Sequence, residues 1–134
     1  MKLETRNWAD EINLVPHDPN VSIRFVKLSE HNSMALFVSV IEAGGSVTGH
    51  YHEHSSEDYH IVDGEGIIAT LPAEELGSLA SPEKVKIKAG MSFSVSARCV
   101  HRLFNNSSKP LTFLFHCPLN HLSTDRIIVP NFAD

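Results

Sequence analysis

Cysteine is scarce in this chain of 134 residues. Only Cys99 and Cys117 occur, so no disulfide framework is expected to hold the fold. Both read as small buried hydrophobes; Cys99, two residues before His101, would share its face on a strand and border whatever that histidine binds. Positive charge is also in short supply, with 11 Lys and Arg against 16 Asp and Glu. The resulting net charge of -5 argues against a nucleic-acid partner or an acidic membrane surface. No apolar run is long enough to span a bilayer. The opening Met1-Lys2-Leu3-Glu4-Thr5-Arg6 leads into polar sequence rather than the apolar core of a signal peptide, so the expected location is cytoplasmic. Repeats, low-complexity tracts and linkers are missing as well. A single domain over residues 1–134 is expected, with its main elements at about 34–117.

Long helical periods are absent too, and short strands take their place. Val21 to Lys27 alternates, with Val21, Ile23 and Phe25 on one face. Further strands are expected at Met34–Ile41, Ser46–His52, Glu57–Val62, Ile67–Leu71, Val85–Ile87, Ser92–Val95, Val100–Phe104, Leu111–Cys117 and Ile127–Val129. Asp63-Gly64-Glu65-Gly66 marks a tight turn, and Pro72 to Pro82 a loop with a helical turn at Ala73 to Leu76. Such a series in one small domain predicts an all-β sandwich or closed barrel. Met34–Ile41 and Leu111–His116 are apolar on both faces. Their outer face therefore needs cover, from the terminal segments or from a second subunit in a homodimer.

Histidine is what the chain has in excess. With nine of them, roughly 0.6 His-x-His pairs arise by chance, so His50-Tyr51-His52 decides nothing alone. Its context does. Gly44 stands six residues before the pair, Glu57 five after it and Gly64 seven beyond that glutamate. This combination has a chance of about 2 in 10,000, and coincidence is rejected. A second cluster follows in Gly90, His101 and Asn105. Alternation on a strand turns His50 and His52 to one side, and the polar His54-Ser55-Ser56 can turn the chain so that a neighbouring strand presents Glu57. Three imidazoles and one carboxylate suit a single divalent transition metal, Fe, Mn, Co, Ni, Cu or Zn, rather than Ca or Mg.

These residues resemble the cupin superfamily. The pattern Gly, five residues, His-x-His, three or four residues, Glu, six residues, Gly is met by Gly44, His50, His52, Glu57 and Gly64. The second pattern, Gly, five residues, Pro-x-Gly, two residues, His, three residues, Asn, is met at Gly90, His101 and Asn105. Ser96 replaces its proline and Arg98 its second glycine. The resemblance implies a single jelly-roll β-barrel in which His50, His52, Glu57 and His101 are the metal ligands. Cupin-type lyases that cleave dimethylsulfoniopropionate, which this region resembles, imply a part in proton abstraction for a tyrosine placed like Tyr59.

Tyr59 itself, two residues after Glu57, should share its inward face as a catalytic hydrogen-bond donor or general acid or base, or as a buried packing residue. His54 belongs to the turn, His60 to the outer face, His116 to a packed strand, and His17, His31 and His121 to the surface. Arg24, Arg98 and Arg102 are candidate anchors for an anionic substrate, with a solvated surface role as the plainer reading. The functions expected are a small-molecule enzyme (a dioxygenase, or a metal-assisted lyase or isomerase) or a non-catalytic module that binds a small molecule or metal.

Overall fold

The computed structural model describes residues 1–134. It contains ten strands: β1 Arg24–His31, β2 Met34–Ile41, β3 His50–Tyr51, β4 Glu57–Asp63, β5 Glu65–Pro72, β6 Glu83–Lys88, β7 Ser92–Val95, β8 Cys99–Phe104, β9 Leu111–Pro118 and β10 Ile127–Ile128. One helix, α1 Trp8–Glu11, precedes them, and short 3-10 turns follow β5 and β9. The strands form two antiparallel sheets, ordered β1-β2-β9-β4-β7 and β10-β3-β8-β5-β6, that face each other as a jelly roll. No helix is long and apolar enough to cross a membrane.

Alternation on the strands builds the interior. Phe37, Phe113, Phe115, Ile61, Ile68, Ile87 and Leu103 turn inward into one buried cluster between the sheets. Phe37 and Phe115 lie opposite each other on β2 and β9 and stack at 4.8 Å between ring centroids, a cross-strand aromatic pair. The turn from β4 to β5 depends on Gly64, whose φ is +87°; a Cβ there would lie 2.4 Å from the Pro110 carbonyl oxygen. Asn105 pins the other end, donating to the carbonyls of Ile41 and Lys109 from a fully buried position.

The outer faces of both sheets are covered by the chain's own ends. Ile12, with Trp8 and Val15, packs on Val26, Val38, Val40 and Leu114. On the other side, Phe132 and Val129 pack on Ala69, Leu71 and Val100. The apolar outer face of β2 and β9 is thus met by a terminal segment. Most expected strands are present, with three differences. The first strand begins at Arg24 and runs to His31, because Val21 and Ile23 enter the core from a turn closed by the Asp18–Ile23 bridge. Ser46–His52 narrows to His50–Tyr51, since only these residues enter a ladder, Tyr51 with β10 and His50 with both β10 and β8. The helix at Trp8–Glu11 was not expected. Asn7 caps it by accepting from the N–H groups of Ala9 and Asp10.

Candidate metal centre

His50 and His101 meet directly across the β3–β8 pair. Each is held by its own strand: His50 Nδ1 donates to the Thr48 carbonyl at 2.8 Å, and His101 Nδ1 to the Cys99 carbonyl at 3.0 Å. With Nδ1 spent as a donor, Nε2 of each ring is left as a lone pair. His52 follows β3 and is fixed from far away, its Nδ1 donating to the Asp125 carbonyl at 2.6 Å. The Asp125 carboxylate also takes the N–H groups of Glu53 (2.6 Å) and His54 (3.1 Å). The chain then crosses to the opposite sheet, where β4 presents Glu57.

All four residues are buried, and His101 is fully so. The candidate ligand atoms of His50, His52 and His101 lie within 4.8 Å of one another, as do those of His52, Glu57 and His121. The donor set fits a divalent ion on two counts. The Nε2 atoms of His52 and His101 are buried without a hydrogen-bond partner. His52 Nε2 also stands 2.9 Å from Glu57 Oε2 although its Nδ1 already carries the proton, so two lone pairs face each other. A shared cation between them would turn that repulsion into coordination.

The electrostatics agree. Burial, and then the charge of His101, lower His50 to about 3 from its ordinary 6.5. His101 is also lowered, chiefly by burial. For Glu57, burial works to raise the carboxyl, but the hydrogen bond from His121, with the neighbouring His52 and His101 rings, overcomes it and holds the group well below the usual carboxylate range. Neutral imidazoles beside an ionised carboxylate are the forms that bind a metal. Burial, and then the Glu57 carboxylate, push the Tyr59 phenol well above its ordinary range.

Tyr59 is buried and lines the cavity beside these residues, as its alternation with Glu57 requires. His54 is exposed in the turn, and His60 is exposed on the outer face with Ser92 as its partner. His17 and His31 are exposed, whereas His116 is half-buried on β9. His121 departs from expectation. It is buried, not on the surface, because the 3-10 turn Leu119–Leu122 folds it back beneath β4. Its Nδ1 donates to Glu57 Oε2 at 3.1 Å, its Nε2 accepts from Ser55 Oγ at 2.7 Å, and its ring stacks on His52 at 3.8 Å. With both nitrogens engaged, His121 orients Glu57. No spacing signal linked it to a motif that lies 64 residues away.

Cys99 contributes its carbonyl to His101, while its side chain lines a different groove, with Thr70, Glu83 and Val95. Cys117 is buried, and burial, and then Glu57, push its thiol up. Of the three arginines considered from sequence, none lines the metal cavity. Arg102 turns outward to Ser46, Asp134 and the Phe132 carbonyl. Arg98 pairs with Glu53 on the surface. Its φ of +59° is the left-handed conformation suited to glycine, so the turn before β8 survives the substitution, and the Arg98 N–H closes it on the His52 carbonyl at 2.7 Å. Arg126 lines the cavity instead. The cavity measures about 30 Å³ and is otherwise walled mainly by Val21, Ile23, Phe25, Leu103, Phe113 and Phe115.

Comparison with known proteins agrees with this architecture. A protein with a double-stranded β-helix domain from Klebsiella pneumoniae superposes with a TM-score of 0.66 at 15% identity, covering 97% of this chain and 100% of the other. A predicted oxalate decarboxylase from Thermotoga maritima gives 0.59 at 23% identity, covering 80% and 81%. The capsular polysaccharide assembling protein CapF from Staphylococcus aureus gives 0.70 at 12% identity over 86% of this chain, which spans only 33% of that larger protein. No curated protein sequence matches. The family described as "Cupin domain" matches residues 37–117, more than half of the chain and both histidine clusters, and the protein therefore belongs to the cupin family.

Proposed function

We propose that the protein is a mononuclear metalloenzyme of small-molecule chemistry, with His50, His52, Glu57 and His101 holding one divalent Fe, Mn, Co, Ni, Cu or Zn ion. One observation carries this reading. Each of the three imidazoles spends Nδ1–H on a main-chain carbonyl and keeps Nε2 free as a lone pair. Histidines kept only for packing would not leave two such atoms buried without a partner.

The reaction class is dioxygenation, or a metal-assisted lyase or isomerase step. A bound ion would supply Lewis acidity and, if redox-active, a place for dioxygen. The chain's residues supply the rest. The apolar walls exclude bulk water, and a cavity of about 30 Å³ limits the occupant to something small. The structural neighbour named a predicted oxalate decarboxylase is in keeping with that size. Tyr59, held protonated beside Glu57, enters as a hydrogen-bond donor or general acid through its hydroxyl. His121 keeps the Glu57 carboxylate aimed, and Asp125 keeps the His52 ring aimed.

The test is elemental analysis of protein purified without a metal-affinity tag, beside a His50→Ala/His52→Ala variant. About one equivalent of metal in the parent and almost none in the variant is expected for a single-ion site. Little metal in the parent, with no rise in Tm on adding these ions, would overturn the reading. Dependence on O₂ then separates a dioxygenase from a lyase or isomerase. A metal-loaded protein that turns over no small molecule would be a binding module.

A further inference from the structure

The cavity beside the proposed ligands has one feature that metal binding leaves unused. Of the side chains lining it, only Arg126 carries a fixed positive charge. Arg126 directly follows Asp125, whose carbonyl holds His52, so it is placed by the segment that shapes the metal centre. Its side chain is only 7% exposed. Nη1 donates to Asp18 Oδ2 at 2.9 Å, and the guanidinium makes no other hydrogen bond with the protein. Asp18 is itself fixed, since its Oδ1 accepts the Asn20 N–H at 2.9 Å. The pair balances charge, but it uses one of the five N–H donors of a nearly buried guanidinium. No nitrogen of Arg126 is both buried and unpartnered, so its remaining donors stay open to acceptors that a ligand supplies.

We propose that Arg126 is the specificity-determining residue of this cavity and selects a small carboxylate as substrate or ligand. The inference rests on the metal reading above. A divalent ion held by neutral imidazoles and the single Glu57 carboxylate keeps one net positive charge, and the Arg126–Asp18 pair adds none. One carboxylate brings the whole site to neutrality in an apolar enclosure, where an unbalanced charge is expensive. The planar guanidinium fork matches a carboxylate geometrically, and Arg126 lines the same cavity as His50, His52 and Glu57. A neutral amide of the same shape would leave the charge unbalanced and offer the fork one accepting oxygen instead of two. Nothing in the spacing of the histidine motifs points to Arg126, whose salt-bridge partner Asp18 lies 108 residues away.

The experiment uses the full chain loaded with cobalt(II), whose visible absorption reports ligands that enter the metal's surroundings. Acetate and its neutral counterpart acetamide are titrated into the parent and into Arg126→Gln, Arg126→Lys and Asp18→Asn, with cobalt content measured in every sample. Arg126→Gln is expected to raise the acetate midpoint roughly tenfold or more, with cobalt content and the acetamide response unchanged. Arg126→Lys should fall between the two. Asp18→Asn should bind acetate several-fold more tightly, on the order expected for removing a competing charge while an oxygen remains to hold the guanidinium.

Equal acetate midpoints in the parent and Arg126→Gln, at equal cobalt content, would overturn the inference and leave the metal reading standing. A parent that takes up no cobalt would overturn the metal reading, and the carboxylate site would fall with it. Circular dichroism shows whether each variant is folded. If Arg126→Gln is not, Asp18→Asn decides alone, and unchanged or weaker acetate binding by it would overturn the inference.

Discussion

The four candidate ligands divide into two pairs that are held in different ways. His50 and His101 sit on paired strands, and each ring is tied to the carbonyl two residues before it in its own chain segment. His52 and Glu57 lie at and after the crossing between sheets, and both depend on residues 121–125: the Asp125 carbonyl holds His52, and His121 holds Glu57. The first pair is built by local strand geometry. The second is built by a distant segment folding back. Local support survives any change elsewhere that leaves the sheet intact, whereas remote support is lost with the segment that provides it.

The largest contrast is expected from removing a ligand in the first pair. His101→Ala should abolish metal binding, with content falling from about one equivalent to almost none. The fold should persist, because residues 99–104 keep their pairing with β5. Elemental analysis and circular dichroism on the same sample check both halves of the statement.

Breaking the remote support should cost less. Asp125→Ala frees the Glu53 and His54 N–H groups and disturbs the turn that positions His52, and His121→Ala releases Glu57. Each should weaken metal binding by roughly 10- to 100-fold, the usual cost of losing a group that orients a ligand. Competition with a chelator of known affinity measures it. If both variants bind as tightly as the parent, the division into two pairs fails. Tyr59→Phe offers a control that touches neither support. It should leave metal content unchanged while lowering kcat by about 10²- to 10⁴-fold if the hydroxyl transfers a proton.

The pH dependence of the metal-free protein sharpens the same contrast. His50 titrates at about 3 when folded against 6.5 when free, and His101 is also lowered. Between these values the unfolded chain binds more protons than the folded one. Stability is therefore complete above 6.5 and is lost as pH falls toward 3, by on the order of several kcal/mol for His50. The depressed Glu57 carboxyl adds a further loss below its ordinary 4.5. Urea midpoints across this range check the sign, and His50→Gln should flatten the upper part of the curve. The smallest effect is expected at Arg98→Gly. Relief of a left-handed φ and loss of the surface pair with Glu53 oppose each other, so the melting temperature should barely move.

What could be read from sequence follows the same division. Met34–Ile41 and Ser92–Val95 form the expected strands residue for residue, because alternation and turn residues act locally. The motifs place His101 on a strand distant in sequence from His50 and His52, and the structure pairs it with His50. β1 begins later than alternation predicts, because Val21 and Ile23, though alternating, reach the core from a turn. His121 and Arg126 left no local trace. A lone histidine after a strand and a lone arginine after an aspartate look like surface residues until the chain end folds over the site.

Sequence by itself determined the fold family, the strand series and the four candidate ligands, since those depend on period-two alternation and fixed short spacings. Only the tertiary structure decided that the termini cover both sheets, that His121 and Asp125 aim two of the ligands, and that Arg126 is the cation in the cavity. The contacts of His121, Asp125 and Arg126 join residues more than sixty positions apart, where no periodicity connects them and burial between packed sheets does.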